Sequence, residues 1–196
     1  MVKEPRAGRV KSRLGRDIGM TSAAWWYRHQ ALSTLRRLRD PRWQTVLAVT
    51  PDIEGLKSRV WPPDLPRVPQ AKGDLGQRMA QLLARTRGPT VLIGSDIPCV
   101  ARSHIANAFA ALGPAETVIG PARDGGFWLI GLRYPVRQRR GFLKGIRWSH
   151  STTLADTLPT LPAPIAMTDT LSDVDTAKDL DVARTSAKPR DATTSP

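Results

Sequence analysis

Two apolar segments that each run into a turn carrying one aspartate constrain this chain more than anything else in it. Residues 91–94, VLIG, read as a buried strand leading directly into Ser95, Asp96 and Pro98, so the acid stands at the strand's carboxyl end. In open α/β sheets that edge is where ligands bind, because the helices leave a crevice there and the loops supply polar groups. A second acid, Asp124, lies in a Gly-Pro-Ala-Arg-Asp-Gly-Gly turn between the apolar segments 117–120 and 127–132. Gly125 and Gly126 leave room for a ligand beside the backbone or supply positive φ. Between the two strands, residues 102–112 read as an amphipathic crossover helix, and strand, helix, strand in that order implies a parallel sheet.

The rest of the chain supplies one domain's worth of core. With 196 residues and 40% hydrophobic content, a single domain over 1–183 is expected, followed by a polar, disordered tail over 184–196. No run of about 18 apolar residues and no leader-like apolar segment occurs, so no membrane span and a cytoplasmic location are expected. One cysteine excludes an internal disulfide framework. The formal charge of +13 suits nucleic acid, an anionic surface or a small anionic substrate. The chain lacks aromatic-interleaved basic motifs and zinc-finger spacing, which places nucleic acid behind a small anionic substrate.

Residues 3–14 form a basic loop punctuated by Gly and Pro, in which five of twelve side chains are cationic. Two readings stay open for it. One is a flexible basic arm; the other is a phosphate cradle in which Gly8 permits close backbone approach and Lys11 and Arg13 pair with diphosphate oxygens. Beyond it, a helix is expected from Thr21 or Ser22 to about Leu38, with Trp25, Trp26, Ala31, Leu32, Leu35 and Leu38 as its apolar positions. A strand over 43–49 follows, then a proline-rich loop over 61–69 and a helix starting near Asp74, which is placed to cap it. His104 reads as a surface or capping residue, and Cys99 as a small buried hydrophobe.

Residues 133–147 carry six cations in fifteen and read as a solvated basic face. Later, Asp173-Val174-Asp175 alternates in extended fashion, which puts both carboxylates on one side, and Thr176 then caps a helix. A pair of hard carboxylates beside a phosphate loop suits Mg²⁺ or Mn²⁺. Favourable placement of acids at a helix N-terminus accounts for Asp175 and Asp179 without a metal.

Taken together, KEPRAGRVKSRL, QAKGDLGQRM, IGSDIPCV, IGPARDGGFWLIGL, RWS and SDVDTAKDLD resemble, in order and approximate spacing, a family of glycosyltransferase-A-like bacterial proteins. Some of its members are described as arsenosugar-biosynthesis glycosyltransferases. The resemblance spans about residues 2–182. The wider nucleotide-diphospho-sugar transferase superfamily also holds nucleotidyltransferases, such as phospholactate guanylyltransferase and the molybdenum-cofactor guanylyltransferase. The resemblance implies a three-layer α/β/α sandwich with a mostly parallel, Rossmann-like sheet that binds a nucleoside diphosphate sugar or nucleoside triphosphate with a divalent ion. The family's basic loop maps onto Lys3, Gly8, Lys11 and Arg13, its metal acid onto Asp96, its substrate turn onto Asp124, Gly125 and Gly126, and its late acids onto Asp173 and Asp175.

The chain departs from the family at three points. Only Met1 and Val2 stand where an apolar first strand is usual, so a truncated first strand, a late start codon and unpaired neighbouring strand edges are expected. Ser12 replaces the usual Thr, and His150 replaces a small hydroxyl residue. The expected function is metal-dependent transfer from a nucleotide donor to a small-molecule acceptor, with sugar transfer first. Asp96 and Asp124 are its candidate catalytic residues, and Asp96, Asp173 and Asp175 its candidate Mg²⁺ or Mn²⁺ ligands. Nucleotidyl transfer with release of pyrophosphate is the alternative. A third reading is a basic nucleic-acid-binding protein on a degenerate transferase scaffold.

Overall fold

The computed structural model describes residues 1–186. Seven strands form two sheets. In the first, β1 (Val2–Lys3), β2 (Leu47–Thr50) and β3 (Arg67–Pro69) pair in parallel in the order β1-β2-β3. In the second, β4 (Thr90–Ile93), β6 (Phe127–Leu132), β5 (Thr117–Pro121) and β7 (Ile165–Met167) pair in the order β4-β6-β5-β7. The amino group of Met1 donates to the Ile93 carbonyl at 2.7 Å, so β1 meets β4 and the sheets abut edge to edge. β6 runs antiparallel between β4 and β5, while β5 and β7 are parallel. The crossover between β4 and β5 is therefore present, with a later strand inserted between them.

Alternation in β5 shows the layering. Val118 packs with α5 (Arg102–Ala111) on one face through Ile105 and Ala108. Its neighbour Ile119 packs on the opposite face with Met79 and Leu83 of α4 (Leu75–Ala84) and with Phe142 and Leu143. A strand covered on both faces loses its polar alternation and reads as a continuous apolar run, as 117–120 and 127–132 do. The result is the expected α/β/α sandwich. Around the first sheet, α2 (Met20–Arg37) contributes Ala24, Tyr27, Ala31 and Leu35 to a core with Val2, Leu47, Val49 and Trp61.

Several elements depart from the sequence expectation. The basic segment is a loop only to Lys11, after which α1 (Ser12–Ile18) begins; Gly19 at φ 91° separates it from α2. Trp25 is 63% exposed and stacks on His29 one turn away, because the buried stripe of α2 runs through the small residues at 23, 24 and 31 together with Tyr27. The strand expected over 43–49 is confined to β2, and Trp43 instead packs on Phe109. Cys99 is exposed, since Ile97 and Val100 on either side take the buried positions. In the basic segment 133–147, Phe142, Leu143 and Ile146 enter the core while the cations stay outside.

Asp74 caps α4 as expected: its carboxylate accepts the Gln77 amide and the Gln77 side chain accepts the Asp74 amide. His104 accepts the Ala101 amide at the start of α5. A short helix α3 (Asp52–Lys57) follows β2, α6 (Thr153–Thr157) precedes β7, and α7 (Ala177–Ser186) ends the described chain. Of the tail expected over 184–196, the first three residues continue α7 and the remainder lies outside the described residues. No helix among the described residues is long and apolar enough to cross a membrane.

β1 has two residues, and a buried side chain helps to hold it. The Gln70 amide donates to the carbonyls of both Val2 and Ala48, at 3.0 and 2.8 Å. Gln70→Ala removes both bonds from a buried position and should lower stability by about 2–4 kcal/mol, whereas Trp25→Ser should change it by less than about 0.5 kcal/mol. Denaturant unfolding of the two variants checks the contrast.

Candidate active site

At its carboxyl end β4 continues through Gly94 into Ser95 and Asp96. Ser95 is buried, and its hydroxyl bonds the Tyr27 hydroxyl at 2.8 Å. The same phenol oxygen accepts the amide of Lys3 at 2.9 Å. One side chain of α2 thus joins the end of β1 to the end of β4. Buried Ile97 anchors the chain beyond, which leaves the Asp96 carboxylate turned into a cleft of about 730 Å³.

The late acids reach that cleft from the other end of the sequence. Val174 is 1% exposed and packs with Leu14 and Leu180, so the alternation sends Asp173 and Asp175 the opposite way. The Asp179 carboxylate accepts the amides of Asp175 and Thr176 and the Thr176 hydroxyl, and the Thr176 hydroxyl accepts the Asp179 amide. This capping box fixes the backbone that carries the two acids.

Lys11 holds these segments together. Its backbone lies in the left-handed region, φ 45° and ψ 49°, at the N-cap of α1, and its side chain is only 8% exposed. The ammonium lies 2.6 Å from Asp96 Oδ2, 2.6 Å from Asp175 Oδ1 and 3.9 Å from Asp173 Oδ2. Burial by itself would lower the ammonium's pKa, but Asp96 and Asp175 outweigh burial and raise it. Arg13 meets the second oxygen of Asp175 at 3.2 Å from the solvent side. Asp173 is pushed up to about 6 by burial; Lys11 opposes the rise, while Asp96, Asp175 and Asp124 add to it.

Asp96, Asp173 and Asp175 can present one oxygen each within 4.8 Å of one another. Three hard carboxylate oxygens that already gather around one cationic nitrogen fit a small divalent ion such as Mg²⁺ or Mn²⁺. Asp124 stands on the same cleft, its carboxylate accepting the Gly126 amide at 2.9 Å.

Of the residues singled out from sequence, Lys3, Lys11, Arg13, Asp96, Asp124, Gly126, Asp173 and Asp175 line the cleft. Gly8 and Gly125 do not. Gly8, at φ 74°, turns the loop, and a Cβ there would meet open space. Gly125, at φ 87°, lies so close to Ser151 that a Cβ would clash with that residue's carbonyl oxygen. It seats the turn against Ser151 just before α6, and the Leu154 amide in the first turn of α6 donates to its carbonyl. Sequence reasoning missed one wall of the cleft, which Leu75, Arg78 and Met79 of α4 line together with Phe127 and Trp148. The i, i+3, i+4 spacing of those three helix residues was the available signal.

Asp173 makes stability depend on pH with a definite sign. A carboxyl raised on folding holds its proton more tightly in the folded than in the unfolded chain, so stability falls as pH climbs from about 4 to about 6. Asp173→Asn removes the buried like charge. The variant should therefore be more stable than the parent at pH 7–8 and show a flatter pH slope below 6, as read by denaturant unfolding across that range. Destabilisation at pH 7 would mean that the charged carboxylate is held favourably by Lys11.

Comparison with known proteins gives relatives of the whole fold. Residues 34–150 match the family described as uncharacterized protein conserved in bacteria (DUF2064). A crystal structure from Desulfovibrio desulfuricans G20, under the provisional name of nucleotide-diphospho-sugar transferase, is 30% identical, with a TM-score of 0.80 over 97% of this chain and 86% of that one. Rv0371c from Mycobacterium tuberculosis H37Rv shares the fold at 18% identity and a TM-score of 0.56, covering 92% of each chain. Its homolog from Mycobacterium sp. strain JC1 does so at 16% identity and 0.51, covering 80% of this chain and 81% of that one. None of the curated proteins matches.

Proposed function

The chain belongs to the DUF2064 family, and from that premise we propose that it is a metal-dependent transferase acting on a nucleotide donor, with sugar transfer from a nucleoside diphosphate sugar as its reaction. The observation that carries this reading is the convergence of three carboxylates and two cations at the strand ends, beside a basic loop and in one cleft. The name borne by the Desulfovibrio relative supports the same class of donor.

In this reading Asp96, Asp173 and Asp175 hold the divalent ion, which when bound neutralises charge on the diphosphate leaving group. Lys11 and Arg13 bind the diphosphate oxygens, and Lys3 and Arg9 at the mouth of the cleft raise the local concentration of an anionic donor. Asp124, held in its turn by the Gly126 amide, orients the sugar or the acceptor hydroxyl. The wall of Leu75, Met79, Phe127 and Trp148 excludes water from the reacting centre.

Incubation with Mn²⁺ and a set of nucleotide sugars should release free nucleoside diphosphate, and Asp96→Asn should lower the rate by about 10²-fold or more. Pyrophosphate released from a nucleoside triphosphate would replace sugar transfer with nucleotidyl transfer. Strongly salt-dependent nucleic-acid binding that Asp96→Asn leaves unchanged, with neither product formed, would contradict the transferase reading. Replacing Lys11 and Arg13 together with Ala should weaken nucleotide binding by about 3–6 kcal/mol in direct titration, since charge-assisted bonds contribute about 1.5–3 each.

A further inference from the structure

Lys11 and a divalent ion compete for the same oxygens. The ammonium lies 2.6 Å from one oxygen each of Asp96 and Asp175 and 3.9 Å from Asp173, the three residues able to converge on an ion. An ion bound by these carboxylates at the usual 2.0–2.6 Å would stand within a few ångströms of the ammonium nitrogen and compete with it for the same oxygens, which favours moving the ammonium away. Lysine carries its charge on a flexible four-carbon stem, and this one is anchored at the first turn of α1 beside a cleft open to solvent. The ammonium can therefore leave while its backbone stays in place.

We propose that Lys11 is an exchange residue: its ammonium occupies the cation position among Asp96, Asp173 and Asp175, is displaced when a divalent ion enters, and then pairs with the phosphate groups of the donor. This rests on the metal-dependent reading above. The exchange explains how one lysine can neutralise the acids and bind phosphate. It also makes metal and donor mutually dependent. The ion alone must break two short ion pairs and strand a buried ammonium, whereas the ion with a diphosphate gives that ammonium new partners. Without a phosphate the lysine acts as a tethered competitor for the metal.

The test reads where Lys11 is and what it costs the ion. In the wild-type protein, Mn²⁺ titration followed by loss of the free ion's paramagnetic resonance signal should show weak binding. Lys11→Met keeps the stem without the charge and should bind Mn²⁺ roughly tenfold tighter or more. Equal or weaker binding by a folded Lys11→Met, checked by circular dichroism, overturns the exchange. Amine acylation of the wild-type protein, read by peptide mass spectrometry, follows Lys11 even where the variant fails to fold. Lys11 should be protected without metal, labelled at saturating Mn²⁺, and protected again when Mn²⁺ and inorganic pyrophosphate are both present. Protection that persists at saturating Mn²⁺, or labelling that persists with pyrophosphate, overturns it. The expected labelling pattern without turnover of any nucleotide sugar would leave the exchange standing and remove only the proposed reaction.

Discussion

The bridge from Lys11 to Asp96 and Asp175 is the interaction on which the candidate site depends. It joins the loop after β1, the end of β4 and the segment before α7, Asp175 lying 164 positions after Lys11 in the sequence. Each of the three is secured by its own core. Val10 packs with the first sheet, Ile97 with the α5 layer, and Val174 with Leu14 and Leu180. Three carboxylates would repel one another at this distance, and a buried ammonium converts that repulsion into cohesion.

The same arrangement sets stability against function. Burial and like charge push Asp173 up, so the folded chain holds an acid that would be more comfortable protonated or amidated. A structural ion pair needs one acid for one lysine; here three acids surround it, and only two lie within 3 Å. The surplus acid supports the proposed site for a divalent cation, since one lysine leaves the three carboxylates with excess negative charge. In the proposed reaction the donor's phosphates would meet a cleft rimmed by Lys3, Arg9 and Arg13, which would give part of the +13 formal charge a local use.

Much of this was legible in the chain because it follows from period and punctuation. The runs 117–120 and 127–132 lie in strands that are almost wholly buried, whereas 91–93, expected to be a buried strand, lie in β4, whose residues are only partly buried. Asp173-Val174-Asp175 declared by alternation alone that the two acids share a side. Asp74 and His104 were readable as caps for the same local reason. What stayed hidden depended on tertiary partners. Trp25 looks apolar in a helical stripe, yet the stripe that packs is made of smaller residues around Tyr27. Cys99 follows a proline in apolar company but faces out, because Ile97 and Val100 fill the space beneath it. Gly125, expected either to leave room for a ligand or to supply positive φ, does the second at φ 87°; what stayed hidden is that it faces Ser151, a contact set by a segment 26 residues further on. The short β1 and its side-chain support from Gln70 have no sequence signal, since nothing local marks a glutamine that bonds backbone on two other strands.

The central claim is that acids, cations and nucleotide form one coupled site. Calorimetric titration of nucleoside diphosphate into the protein with and without Mn²⁺ tests it most directly. The account predicts affinity about 5–150 times higher with the ion, and loss of that enhancement in Asp96→Asn. Equal affinities with and without Mn²⁺ in the wild-type protein would contradict it.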